Sequence, residues 1–136
     1  MMTALDISTS GLIAQRARLN AISSNLANMS SLRNESGEVK PYQARYTVFQ
    51  TDPTIGTRQG GVGVKVASVE TETVEPLLKF QPNHPLADAQ GYVAYPNVNM
   101  TREFVDALEA TRAYEANVGV IEVTKNMSLQ TLRILA

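Results

Sequence analysis

The sequence predicts an α+β fold in which long N- and C-terminal helices pair as an antiparallel coiled coil, with a small antiparallel β insertion between them. Three observations carry that prediction. All 6 prolines lie between Pro41 and Pro96, and 6 of the 8 glycines between Gly37 and Gly91, so the helix breakers are confined to the middle of the 136 residues. At both ends apolar residues recur at alternating steps of three and four, the rhythm of a heptad seam. In the middle they alternate singly, the period of a half-buried strand. The expected units are residues 1–30 for the first helix, 31–96 for the loop and β-rich insertion, and 97–136 for the last helix.

At the N-terminus, Thr3 with Asp6 three residues on has the form of a capping box. Leu5, Ser8, Leu12, Gln15, Leu19, Ile22, Leu26 and Met29 follow as a seam, and Ile7, Ala14 and Ala21 form a second line that a neighbouring helix could approach closely. Gly11 weakens this helix by roughly 1 kcal/mol relative to alanine, so partners are expected to support its order. The mostly polar span from Met29 to Lys40 reads as a loop ordered by its neighbours.

In the insertion, Tyr42, Ala44, Tyr46 and Val48 alternate with polar residues. Val62, Val64 and Val66 do so again after a Gly60-Gly61 turn, which predicts an antiparallel pair. Between Pro76 and Pro96, Leu77, Leu78, Phe80, Tyr92, Val93 and Tyr95 anchor an expected extended segment or short hairpin lying on the sheet or the helices.

The last helix is expected to open on Asn99 or Thr101 as N-cap, with Glu103 in the first turn where the helix dipole favours a carboxylate. Met100, Phe104, Ala107, Thr111, Tyr114, Val118, Ile121, Lys125, Ser128, Leu132 and Leu135 keep the heptad rhythm. The intrachain seam is therefore expected to set Leu5, Leu12, Leu19, Ile22 and Leu26 against Tyr114, Val118, Ile121, Leu132 and Leu135. A separate line, Ala113, Ala116, Val120, Val123, Met127 and Ile134, is turned away by well over a quarter turn, and a single partner cannot cover both. With Ile7, Ala14 and Ala21, that line is the expected contact with other subunits. A helix from Thr101 to Leu135 is about 50 Å long, whereas a compact chain of this size is about 37 Å across. The helix would overhang its own domain, which predicts an obligate multi-chain assembly.

Charge and composition exclude several classes. Twelve Lys and Arg against 13 Asp and Glu leave a net charge of −1, too little to hold nucleic acid, and there is no basic block for a lipid surface. The absence of cysteine removes disulfides, thiolate metal sites and cysteine nucleophiles. No run approaches the roughly 18 apolar residues of a membrane span. The opening residues do not have the form of a cleavable leader, so none is expected. The charged fraction, 18%, lies below the roughly 25% of ordinary domains, an early sign of assembly.

Chemistry is sparse. His84 with Asp88 is a conceivable pair, but one histidine builds no zinc site, and no nucleophile accompanies it. Gly60, Gly61 and Gly63 lack the third spaced glycine of a dinucleotide loop and the Lys-Ser/Thr of a phosphate loop, which leaves a hairpin turn with close strand packing. Four Asn-x-Ser/Thr tripeptides, at Asn28, Asn34, Asn99 and Asn126, are chance occurrences on this reading. Arg16 and Arg18 on one helix read as solvated or paired. No cofactor, metal or enzymatic activity is expected.

Gln15 through Arg18-Leu19-Asn20, then Ser24-Asn25-Leu26-Ala27-Asn28, resembles the N-terminal signature of bacterial flagellar rod and hook proteins. Tyr114-Glu115-Ala116-Asn117-Val118 with Lys125-Asn126-Met127 resembles the matching C-terminal helix. His84-Pro85-Leu86-Ala87-Asp88-Ala89, Gly91-Tyr92-Val93 and Pro96-Asn97-Val98 are similar to a proximal-rod segment of that family. The loop Met29-Ser30-Ser31-Leu32-Arg33 and Gln43 depart from the family's usual residues. The resemblance implies a structural subunit of the basal-body rod, made in the cytoplasm and exported through the flagellum's own type III apparatus. The implied rod crosses the periplasm and surrounds an export channel. Its partners would be further copies, the B-type proximal rod protein, the F- and G-type rod proteins and the protein joining the rod base to the membrane ring. The residues alone leave a second class open, a cytoplasmic coiled-coil adaptor or chaperone, which would hold its helices fully folded in isolation.

Overall fold

The computed structural model describes residues 2–136. Two long helices and two separate hairpins make up the fold: α1 (Met2–Ala27), β1 (Arg45–Gly56), β2 (Val62–Thr71), β3 (Leu77–Phe80), β4 (Tyr92–Tyr95) and α2 (Met100–Leu135). The helices are antiparallel neighbours, and the β1–β2 hairpin packs on α1 as well. The α+β arrangement of terminal helices around a small antiparallel insertion is as expected.

Asn99 caps α2, its side chain accepting a hydrogen bond from the Arg102 N–H at 3.1 Å. Thr3 and Asp6 do not open α1, because the helix already includes Met2 and both lie within it. After Ala27 the chain leaves the helix through a turn closed by the Asn28 N–H on the Ser24 carbonyl.

β1 runs antiparallel to β2 from Arg45 opposite Thr71 to Gly56 opposite Val62, with irregularities after Val48 and after Asp52. The second bulge absorbs Pro53, which has no N–H to give the ladder. The Asp52 carboxylate takes the Thr54 N–H and hydroxyl instead, at 3.1 and 2.6 Å. Gly60 takes a positive φ of 92° in the connection. Gly63 is needed for a different reason: a Cβ there would stand 2.9 Å from Ile55 Cβ and 3.1 Å from Ser10 Oγ. The Ser10 hydroxyl also accepts the Val64 N–H at 3.0 Å, so the hairpin is bonded to α1 as well as packed on it.

Side-chain packing between α1 and α2 differs from the expected seam. On α2 the buried residues are Glu103 and Ala110, with Asp106, Ala113, Asn117, Ile121, Thr124 and Ser128 half-buried in the same row. On α1 they are Ser8, Ser10, Ala14, Ile22 and Asn25, and only Ile22 among them is large and apolar. Leu5, Leu12, Leu19, Leu26, Val118 and Ile121 are half-buried. Tyr114 is exposed, and Leu132 and Leu135, expected in the seam, are 62% and 79% exposed. Register explains the last two. Asn25 meets Glu103, and Gly11 lies so close to Asn117 that an added Cβ would stand 2.9 Å from its Oδ1. Equal steps along both helices then bring Met2 opposite Asn126. The last nine or so residues of α2, roughly 14 Å of helix, run past the described part of α1. Small side chains explain the rotation of the seam: two helices approach most closely where Gly11, Ala14, Ala110 and Ala113 leave the backbones accessible, and the bulky residues are turned outward.

The second hairpin also departs from expectation. Among the described residues, β3 and β4 pair only with each other and lie on neither the sheet nor the helices. The intervening loop is closed by its own bonds, which makes the unit self-contained: Gln81 N–H to the Gly91 carbonyl, and Asp88 N–H to the Tyr92 carbonyl. Val93, 2% exposed, is its core.

Candidate assembly surfaces

Where α1, β1 and α2 converge, Asn25 joins all three. Its Nδ2 donates to the Arg45 carbonyl at 2.9 Å and to Glu103 Oε2 at 3.1 Å. Its Oδ1 accepts from the Arg45 N–H at 2.8 Å and from the Tyr42 hydroxyl at 2.9 Å. Two donors and two acceptors exhaust what an amide can offer, and the residue is 2% exposed. Around this knot the Ser24 and Tyr42 hydroxyls share a bond of 3.2 Å. Arg18 reaches Asp106 and Glu109 at 3.4 and 3.3 Å, and Arg102 reaches Glu72 at 3.4 Å. Further out, Glu35 at 2.7 Å from Arg45 pushes the guanidinium pKa up, through its hydrogen bond first and its charge second. Asn28 closes the helix end, giving its Nδ2 to the Ser24 carbonyl and taking the Ser31 hydroxyl on Oδ1.

Away from α1, α2 exposes apolar side chains near both of its ends, with Arg112, Glu115, Glu122 and Arg133 exposed between and beside them. Phe104, Val105 and Leu108 are exposed near its start, and Val120, Val123, Met127, Leu129, Ile134 and Leu135 toward its end. Val123 is 59% exposed. Of the residues expected to face other subunits, Ala116, Val120, Val123, Met127 and Ile134 are exposed on the chain. Ala14, in contrast, is buried, Ala113 and Ala21 are half-buried, and Ile7 borders the β1–β2 connection, where a Cβ on Gly61 would stand 3.2 Å from its Cδ1. The α1 line is thus already occupied by this chain's own hairpin and helix. No helix is long and apolar enough to cross a membrane among the described residues.

The second hairpin presents another apolar surface, with Leu77, Leu78 and Phe80 exposed on β3 and Tyr92 on β4. Phe80 and Tyr92 meet edge to face at 5.3 Å, and the Lys79 ammonium sits 4.6 Å from the Tyr95 ring centre. His84 accepts the Leu86 N–H on Nδ1 at 3.1 Å, and Asp88 accepts the N–H groups of Gln90 and Tyr92, each at 2.9 Å. Both side chains therefore act as turn ligands. Gly91, at φ 84°, has no room for a Cβ beside Phe80 and Pro82. No group of three or more His, Cys, Asp or Glu placed to hold a metal ion is found among the described residues.

Residues 5–31 match the family described as Flagella basal body rod protein, and residues 89–134 match the family described as Flagellar basal body rod FlgEFG protein C-terminal. The chain is 43% identical over 134 residues to the flagellar basal-body rod protein FlgC of Salmonella typhimurium, spanning 98% of this chain and 97% of that one. It is 42% identical to FlgC of Yersinia enterocolitica over the same extent, and 37% identical to FlgC of Bacillus subtilis over 142 residues, 96% of this chain and 95% of the relative. The chain belongs to the FlgC family of flagellar basal-body rod proteins.

Membership makes the chain a structural subunit of the flagellar basal-body rod, which interacts with other rod proteins. The two matched segments hold most of α1 with its exit turn, and β4 with most of α2; α1 and α2 meet at Asn25. The resemblance residues divide by role in this FlgC-family chain. Asn25 and Asn28 shape the end of α1, His84, Asp88 and Gly91 fold the hairpin loop that also holds Pro85 and Leu86, and Asn117 lies across from Gly11. Leu26 is half-buried, and Ala27 is exposed. Sequence reasoning missed the buried placement of Glu103 and the part Tyr42 plays in the knot. It also missed the exposed Phe104-Val105-Leu108 group, whose close spacing at the start of a helix marks a face outside the seam.

Proposed function

We propose that this rod subunit builds the proximal part of a hollow shaft that carries torque from the motor ring to the hook. In this reading its terminal helices surround the export channel, and the β hairpins brace neighbours further from the axis. The observation that carries the reading is the outer face of α2. A chain whose helices bury one large apolar side chain, Ile22, and only half-bury the rest leaves most bulky side chains of α2, among them Phe104, Val123 and Ile134, for other molecules. Stiffness follows from the number of such helix contacts per subunit, since each must shear for the tube to twist. Val120, Val123, Met127 and Ile134 then face other subunits, and the overhanging Leu132 and Leu135 join them rather than the intrachain seam.

The partners in this scheme are further copies, the B-type proximal rod protein, the F- and G-type rod proteins and the protein at the junction of rod base and membrane ring. The chain reaches the rod, which crosses the periplasm, through the flagellar type III apparatus. Electron cryo-microscopy of basal bodies at side-chain resolution tests the scheme. The expected map has both terminal helices in the inner wall with the outer face of α2 covered by neighbouring helices. A map with that face in solvent, or with the helices on the outer rim, overturns it.

A further inference from the structure

The contact between α1 and α2 has little to hold it at one axial position. The buried residues of the two helices are Ser8, Ser10, Ala14, Ile22 and Asn25 on α1 and Glu103 and Ala110 on α2, and of these Ser10 is turned to β2. The half-buried Leu5, Leu12, Leu19 and Leu26 repeat every heptad, and small residues lie between them. A slip of one heptad, about 10.5 Å, therefore meets a similar apolar surface except at Gly11, whose partner Asn117 would then face Ala4 or Arg18. The ion pairs of Arg18 are long, at 3.3 and 3.4 Å, and their partner Glu109 is exposed, so they discriminate weakly between positions.

Asn25 is different. Three of its four hydrogen bonds hold α1 to Arg45 of β1 and to Tyr42 three residues before it. The fourth, to Glu103, crosses to α2 and is met at one axial position only. After a slip of one heptad Asn25 would face Ala110 or Pro96, neither of which can replace the Glu103 carboxylate. A buried amide and a buried carboxylate would both lose a partner, the costly side of hydrogen-bond energetics. A lone buried asparagine is known to set register in coiled coils at the expense of adhesion.

We infer that Asn25, with Glu103, is the register lock of the helix pair: it contributes less to how tightly α1 and α2 adhere than to where along each other they stop. What the lock sets is the length of α2 that projects beyond α1, and with it which apolar residues a neighbour meets. The inference concerns geometry within one chain, and it stands or falls separately from the torque reading.

The chain has no cysteine, so engineered pairs report register without background. In basal bodies purified from cells, Asn117→Cys is combined in turn with Gly11→Cys for the observed register, and with Ala4→Cys and Arg18→Cys for slips of one heptad either way. With Asn25 intact, only the Gly11 combination should cross-link on oxidation. With Asn25→Ala, one of the slipped combinations should appear at a yield at least a tenth of the total, while the Gly11 product falls. A uniform loss of cross-linking with no slipped product would make Asn25 merely stabilising and overturn the lock. So would an unchanged pattern. Should Asn25→Ala fail to enter the rod, Glu103→Ala removes the one bond of Asn25 that crosses to α2 and is expected to give the same slipped product; its absence there overturns the inference equally.

Discussion

Replacing Val123 by aspartate tests whether the outer face of α2 is a contact between subunits. The side chain lies on the far side of α2 from α1 and is 59% exposed, so the change disturbs little within the chain, at most the few tenths of a kcal/mol of an ordinary surface substitution. A neighbour changes the arithmetic. Covering the exposed part of a valine contributes about 1 kcal/mol, given roughly 1.5–3 kcal/mol for burying a whole aliphatic side chain. Placing an unpaired carboxylate in the same dry contact costs several kcal/mol more after relaxation. The loss is therefore about 4 kcal/mol per contact, close to a thousandfold in its equilibrium constant. Cells carrying Val123→Asp should make and export the protein but assemble no complete rod, and should not spread in soft agar. Val123→Ala, which removes only the apolar part, should reduce spreading without abolishing it. Normal swimming by Val123→Asp, with rods of normal length, would refute the assignment of this face.

Three further outcomes follow from the fold. Ala110 is fully buried where α2 crosses α1, so Ala110→Leu should overpack the seam by about 1–3 kcal/mol, seen as faster proteolysis of both helices in the purified chain. Gly91→Ala forces a Cβ onto a residue at φ 84° and to 3.0 Å from the Phe80 ring, a strain of about 1–3 kcal/mol. Hydrogen exchange should quicken across residues 81–95 and stay unchanged in α1. The Asp52 carboxyl sits below its ordinary value of 3.8, chiefly through the Thr54 hydroxyl bond and then the Thr54 N–H. Since the folded state holds the proton less tightly than the unfolded one, its support of the bulge is complete above the ordinary value and fades as pH falls through the lowered one. An NMR titration should show this midpoint, and Asp52→Asn should remove the acid dependence of exchange at Thr54.

Much of this was legible in the sequence because backbone preferences are local. The confinement of proline and glycine to the middle, the Asn99 cap and the alternation from Tyr42 to Val66 each follow from the residue's own conformational limits, and the elements form as those limits require. The seam was not legible in the same way. Phe104, Tyr114 and Leu132 keep a heptad rhythm, but so does the row Glu103, Ala110, Asn117 and Thr124 one residue out of phase. Hydrophobic periodicity favours the first row; the structure uses the second, because closeness of backbones and the bonds of Asn25 decide the helix pairing. Glu103 illustrates the difficulty, since its value at a helix N-terminus is readable from position alone, whereas its burial depends on Asn25, 78 residues away. The separate second hairpin was hidden for a related reason: its apolar anchors look like material for this chain's core, yet only Val93 is buried.

The division of side chains between the two kinds of contact has a consequence for order. Adhesion in water comes mainly from apolar area, about 25 cal/mol per Å² removed from solvent, and hydrogen bonds contribute less net energy while being exacting about geometry. Within the chain, α1 and α2 bury little large apolar area beyond Ile22 and half-buried leucines, and the second kind, through Asn25, Glu103 and Arg18, is prominent. On the proposed reading, Phe104, Leu108, Val120, Val123 and Met127, all exposed on the single chain, supply the first kind between chains. On that reading the intrachain contacts define a shape that they stabilise only modestly, and the greater part of the helix pair's stability arrives with its neighbours. Such a subunit is complete in geometry as one molecule and in energy only as a member of the rod.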